Sequence, residues 1–480
     1  MKLKIKYLAL GSLIWLTGVG IYQSTKPLPQ NISYESQWKP VKSMQFYFDT
    51  TYQNKGERIQ EPQIVSQINS MIDEANNYLL LDLSLINKSP KEKKHPSLSQ
   101  DLANKLIEKR KQSPNLPILL ITDPINTMYE NYKSTPLHEL EKNKISVVFS
   151  NLNVLRDSNP INSSFYRTIF QWFGNSKTGY LSNPLDSSLP EVSLRSYVNY
   201  YNYKSNNRNV VINENGALTT SAELNDASSF NSSSAIHVNG SILYDIWQSE
   251  LAILKISDDK LHKQWRKLIP NINDSSIANR AVESKLLTEG KNKSALLSIL
   301  KETRTGDTID IAMSHLSDRE IISSLLDASY RRVKVRILLD PNKDEFGKSL
   351  NGLPNRPVAY EIHQNSTIPI RWYETRGEQF QSNFIVINTK NRAYVFTGSS
   401  SLSTKSINDY NLESNLLIRW NKQQNSLPSV SDWNDWTNHF NRLWNNEDGT
   451  YTVSYDNYSD NNKWHKFLYR TANFTGFTKY

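Results

Sequence analysis

Two short segments of this 480-residue chain carry the side chains whose types and spacing could do chemistry. The first is Tyr203-Lys204-Ser205-Asn206-Asn207-Arg208-Asn209-Val210-Val211-Ile212-Asn213-Glu214, followed by Leu218 to Leu224. The second is Gln379-Phe380-Gln381-Ser382-Asn383-Phe384-Ile385-Val386-Ile387-Asn388, followed by Ala393 to Leu402. Both read as a polar residue, a spacer, a polar residue, a short apolar strand, a polar turn residue, and a second strand ending in small residues with hydroxyls such as Ser221, Ser399 and Ser401. Carboxamides dominate the polar positions, and these donate and accept hydrogen bonds without titrating near neutral pH. Such a site can hold a polar or anionic group, whereas proton transfer at neutral pH needs an imidazole-like pKa.

Other candidates are sparse. The 8 histidines are scattered, and His315, just after a strand end, is the one to place near a cleft. Asp123 and Asp340 also follow strand ends, where open sheets bind ligands, although Asp before Pro is equally a turn signal. There is no cysteine, which excludes disulfides, thiolate metal sites and thiol nucleophiles. No metal-ligand spacing and no glycine-rich phosphate loop is present, so neither a metal nor a cofactor is expected.

The elements that must position these segments repeat along the chain. Helical spacing over Ile64–Tyr78 leads into an apolar run at Leu79–Leu85, Leu102–Lys111 leads into Ile118–Thr122, and Leu137–Lys144 leads into Ile145–Phe149. The second half repeats this with Leu296–Glu302, Thr308–Met313, Asp318–Tyr330 and Val333–Leu339, and Asp340-Pro341 echoes Asp123-Pro124. Helix and strand in alternation predict an α/β fold of two similar lobes, each a mostly parallel sheet flanked by helices. The divisions expected are a signal anchor or signal peptide over 1–25, a tether over 26–40, a first lobe over 41–255, an inter-lobe connection over 256–282 and a second lobe over 283–480 with a C-terminal helix and docked tail. Trp433, Trp436, Phe440 and Trp444 fall on one helix face and read as core.

Lys2, Lys4 and Lys6 precede an uncharged apolar run from Tyr7 to Tyr22. This is the pattern of an export signal retained as an anchor, with the N-terminus cytoplasmic and the main body outside the cell; the alternative is a secreted protein. The net charge of +9 favours anionic partners such as acidic phospholipid or a wall phosphate polymer. Nucleic acid is the weakest candidate, because the basic residues are dispersed and no recognised module surrounds them. The Lys91–Lys94 cluster reads as solvated surface.

The grammar of the two segments resembles the phospholipase D superfamily, whose repeated signature is H-x-K-x-x-x-x-D followed by a strand and a Gly/Ser-rich turn. Leu155-Arg156-Asp157-Ser158-Asn159-Pro160, Trp172-Phe173-Gly174, Leu194-Arg195-Ser196-Tyr197, Thr220-Ser221-Ala222, Asp409-Tyr410-Asn411-Leu412-Glu413 and Phe474-Thr475-Gly476 extend the resemblance to its exported, cardiolipin-synthase-like branch in Gram-positive bacteria. The resemblance implies two motifs meeting across a pseudo-twofold interface on one phosphate, with one His as nucleophile, the other as general acid and the Lys pair as clamp. At those positions this chain has Asn207, Asn209 and Glu214 in the first copy and Gln381, Asn383 and Asn388 in the second. The expected function is therefore a catalytically inactive, membrane-associated protein that binds phospholipid, another phosphate-bearing ligand or a partner protein, with Ser221, Ser399, Ser401 and His315 near the pocket. Two alternatives stand beside it: an active cardiolipin-synthase-type phosphatidyltransferase or phosphodiesterase, and a scaffold paired with an active paralogue.

Overall fold

The computed structural model describes residues 2–87, 96–173, 178–185, 187, 189–269, 282–345, 348–423 and 430–478; the Lys91–Lys94 cluster and Gly174 lie outside them. An N-terminal helix, α1 (Lys2–Thr25), precedes a long strand β1 (Lys39–Asn54) and its short partner β2 (Glu57–Glu61). The first lobe then runs α2 (Ile64–Glu74), β3 (Leu79–Leu83), α3 (Leu98–Gln112), β4 (Ile118–Thr122), α4 (Thr135–Lys142), β5 (Ser146–Phe149), α5 (Pro160–Thr168), α6 (Leu194–Tyr200), β6 (Val210–Asn213), β7 (Gly216–Thr220), β8 (Ser233–Gly240) and α7 (Ile242–Ser257). Within 256–282, α8 (Asp259–Trp265) seats Trp265 in the core, and residues 270–281 lie outside the described ones.

The second lobe repeats the order with β9 (Val282–Thr288), α9 (Lys291–Glu302), β10 (Thr308–Met313), α10 (Arg319–Tyr330), β11 (Lys334–Leu339), the two-residue strands β12 (Asp344–Glu345) and β13 (Lys348–Ser349), α11 (Asn355–Asn365), β14 (Ile370–Tyr373), β15 (Phe384–Asn388), β16 (Arg392–Gly398) and β17 (Ser414–Asn421). It closes with α12 (Val430–Asn445), β18 (Thr452–Ser454) and α13 (Lys463–Thr475). Apolar runs that alternate with helices bury both faces, as in β3 and β4, where every residue is buried. Asp318 caps α10 by accepting from the N–H groups of Glu320 and Ile321, which fixes where that helix starts.

The sheet is more mixed than the helix–strand alternation implies. Parallel pairing is confined to β3–β4–β5 and β10–β11–β14. The motif segments instead form antiparallel hairpins, β6–β7 and β15–β16, joined by tight turns that cannot connect parallel strands. β1 pairs with β8 along most of its length and with β9 at its start, and so joins the two lobes into one continuous sheet. Trp436 and Phe440 of α12 are fully buried, and Trp436 packs its ring against Phe46, Phe48 and Phe384 at centroid distances of 4.9, 4.9 and 4.7 Å. The Trp433 side chain lies outside the described ones. The segment after α1 lies against the body: Ile32 is in the core, Ser33 N–H donates to Glu289 and Tyr34 Oη donates to Asp245 at 2.7 Å.

Candidate functional site at the lobe junction

The two motif segments are held by the same set of bonds in each lobe. Asn209, just before β6, accepts at its Oδ1 from the N–H of Ser84 at the end of β3 (2.9 Å). Asn383, just before β15, accepts at its Oδ1 from the N–H of Ser314 at the end of β10 (3.1 Å), and from that residue's hydroxyl (2.8 Å). Asp123 Oδ2 accepts from Asn206 N–H and Asp340 Oδ2 from Phe380 N–H, at 2.7 and 2.6 Å. Isolated parallel bridges then lace each segment to the opposite lobe, Asn206 with Leu412 and Ser232 with Phe380. Residues 206–214 and 380–388 are thus related by a pseudo-twofold axis through the junction.

At that axis the polar side chains bond to one another. Asn207 Nδ2 donates to Glu413 Oε1 (3.0 Å), Ser399 Oγ donates to Glu413 Oε2 (2.5 Å), and Asn383 Nδ2 donates to the Ser399 carbonyl (3.1 Å). Ser221 Oγ accepts from Ser234 N–H, and Ser234 Oγ accepts from Asn383 N–H, which carries the network back into the first lobe. Ser401 bonds Ser406. Gln381 donates its backbone N–H to the Ser232 carbonyl at 2.7 Å, and its side chain reaches Glu223. Of the sequence candidates, Asn207, Asn209, Gln381, Asn383, Ser221 and Ser399 come together here. His315 is half-buried beside Ser314, with its carbonyl accepting from Leu402 N–H.

Glu214 and Asn388 stand elsewhere. Both lie at the far ends of their strands, one strand length from Asn209 and Asn383, and Glu214 accepts from the N–H groups of Asn76 and Asn77. The acid that the Asn207 amide meets is Glu413. It is fully buried, and burial pushes its carboxyl up to about 7 against the opposing pull of its Ser399 and Asn207 hydrogen bonds. Burial likewise raises Asp123 and Asp340 to about 7, each opposed by the backbone N–H groups it accepts from. Glu413 carries no local signal in the sequence, because its partner Asn207 lies 206 residues away.

Behind the first motif, Arg208 points away from the axis into a dry charge cluster. It is fully buried, donates to Glu250 Oε1 (3.1 Å) and Glu289 Oε1 (2.8 Å), and contacts Ser249. Burial alone would lower its pKa, but Glu289 and Glu250 more than offset this and hold it firmly charged. Asp82, next to them, is pushed well above the carboxylate range by burial and then by Glu250. Among the described residues, no donor reaches Asp82 Oδ2 or Glu250 Oε2.

Beside the junction a cavity of about 240 Å³ opens between the ends of β4 and β5 and helices α5 and α6, lined among others by Tyr166, Arg167, Arg195, Asn199 and Lys204. Buried Asp157 pairs with both Lys204 and Arg167. Burial acts to raise this acid, but the two cations hold it below the usual carboxylate range.

Residues 296–444, within the second half, are similar to the family model described as "Cardiolipin synthase, PLD-like domain". No curated protein matches the sequence. The crystal structure of phosphatidylserine synthase from Haemophilus influenzae Rd KW20 is similar over 92% of this chain and 95% of that one, with a TM-score of 0.55 and 8% identity, and thus shares the fold. Polyphosphate kinase from Porphyromonas gingivalis aligns over 90% of this chain and 53% of that one, with a TM-score of 0.41 and 10% identity.

Proposed function

We propose that this chain is a membrane-associated phospholipase D-like protein whose body lies outside the cell, and which binds a phosphate-bearing headgroup without hydrolysing it. One observation supports the reading: Asn207, Asn209, Gln381 and Asn383 come together at the lobe junction, where the resemblance would put the two chemical motifs. An amide there offers no nucleophile that forms a labile phosphoryl intermediate, no general acid and no cationic clamp. The bonds of Asn209 and Asn383 to Ser84 and Ser314 also give both amides a structural task.

Binding is supported by the cavity beside the junction, which Arg167, Arg195 and Lys204 line together with Glu130; Arg167 and Lys204 are paired with the buried Asp157. Membrane association is supported by α1, which is long and apolar enough to cross a bilayer. The lysines that precede its apolar run favour a cytoplasmic N-terminus, with the rest of the chain outward.

The full chain in phosphatidylglycerol vesicles is expected to release no headgroup and to form no cardiolipin above a protein-free blank. It should bind such vesicles more strongly than phosphatidylcholine vesicles, and keep part of that preference at high salt, where screening removes the diffuse component. A wall phosphate polymer that displaced it from the vesicles would identify the polymer as the preferred source of the headgroup chemistry. Turnover abolished by Glu413→Gln or a His315 substitution would favour the enzyme alternative and end the present reading.

A further inference from the structure

The exposed apolar side chains beside α1 form a pattern that the motif chemistry leaves unused. The apolar run of α1, Tyr7–Tyr22, is about 24 Å long at 1.5 Å per residue, and its outer end meets α5. Gly20 is the buried residue of that run; a Cβ on it would come within 2.8 Å of the Pro160 carbonyl oxygen. Asp157 N–H donates to the Gln23 carbonyl (3.0 Å), Arg156 Nε donates to the Lys26 carbonyl (3.0 Å), and Lys26 Nζ donates to the Asn153 carbonyl (2.7 Å). These contacts hold α5 at the level where the apolar stretch ends, with no free tether between them.

α5 buries Ser163, Ser164, Tyr166 and Arg167 on its inner side. Its outer side shows Ile161, Phe165 and Ile169, spaced four apart and 65%, 46% and 43% exposed. The 3-10 turn that follows shows Trp172 and Phe173 at 77% and 63%. Phe474, at the C-terminal end of α13, is 93% exposed, and Gly476, two residues on, packs against the Ser158 backbone that leads into α5. A soluble face seldom leaves so many large apolar groups in water without a partner. Aromatic and aliphatic side chains on one face, at the depth where a spanning helix leaves the hydrocarbon, fit the headgroup–acyl boundary.

We infer that this face of α5, the turn after it and the end of α13 rest in the surface of the leaflet from which α1 emerges. The body is therefore seated on the bilayer, with the basic cavity behind α5 held next to the headgroups. The inference rests on reading α1 as a membrane anchor, and the test separates the two.

Because the chain has no cysteine, single-cysteine variants of the full-length protein can carry a spin label at one chosen point. Trp172→Cys and Phe474→Cys report on the face, Leu13→Cys on α1, and Asn215→Cys on the exposed β6–β7 turn at the opposite end of the sheet. In phosphatidylglycerol–phosphatidylethanolamine vesicles, labels at 172 and 474 are expected to collide with oxygen and to be shielded from a water-soluble nickel chelate. The label at 215 should behave in the opposite way. Nickel accessibility at 172 and 474 equal to that at 215 would overturn the inference even if Leu13 is shielded. A nickel-accessible label at Leu13 would overturn the anchor reading, and with it the placement of this face on the leaflet from which α1 emerges, whatever the labels at 172 and 474 report.

Discussion

Arg208→Met is expected to lower the unfolding free energy by about 3–5 kcal/mol, the usual cost of breaking a buried ion pair by removing one partner. That is a large share of the roughly 5–15 kcal/mol available to a folded domain. Among the described residues the guanidinium is the cation that Glu250 and Glu289 both contact, and all three side chains are fully buried. Methionine leaves Glu250 and Glu289 without their shared cation in a pocket closed to solvent. Arg208→Lys keeps the charge but not the fork that reaches two acids, and should fall between the wild type and methionine. Adding Glu250→Gln and Glu289→Gln to Arg208→Met should recover part of the loss, because the orphaned charges go with their partner. Denaturant titrations of these chains at one pH are the check. A methionine variant within about 1 kcal/mol of the wild type would mean that the cluster does not hold the first motif to β9, since surface changes have effects below about 0.5 kcal/mol.

Glu413→Gln should change how stability depends on pH. The Glu413 carboxyl titrates near 7 in the folded chain and near its ordinary value of 4.5 when unfolded. Between those values the folded state keeps a proton that the unfolded state has released, so stability falls as pH rises, and above about 7 the full loss is present. Glutamine does not titrate and should escape that loss. Relative to wild type, the variant is therefore expected to gain on the order of 2–3 kcal/mol between pH 5 and pH 8. Glutamine keeps an acceptor for Asn207 but puts an amide donor where Glu413 accepts from Ser399, a change that does not depend on pH, so the pH-dependent part of the difference reports the charge. An offset between the two proteins that is the same at pH 5 and pH 8 would show that Glu413 is ionised across the range.

Local signals in the sequence placed many elements closely. Ile118–Thr122 and Thr308–Met313 are strands over the residues their apolar runs span, and the start of α10 follows from the capping acid at 318. The paired grammar around Asn207 and Gln381 also foretold two hairpins, and those hairpins face each other. What could not be read depends on partners far apart in the chain. The strand β1 lies between β8 and β9 in the sheet, and its pairing with residues 233–240 and 283–284 has no local trace. Arg208 looked like a spacer between two motif amides, since its acids lie 42 and 81 residues away. The alternation of helix and strand likewise suggested more parallel pairing than exists, because the short turns at 214–215 and 389–391 dictate antiparallel neighbours.

Covalent capture of phosphorus tests the central claim most directly. The full chain, reconstituted in vesicles containing phosphatidylglycerol labelled at its phosphate, would be quenched after seconds to hours and the protein examined for bound label under conditions that preserve phosphohistidine. An amide-lined junction predicts no label above that on a heat-denatured control, at any time and between pH 5 and pH 8. Stoichiometric, acid-labile label on the polypeptide would contradict it and would require a nucleophile among residues that now have only a structural assignment.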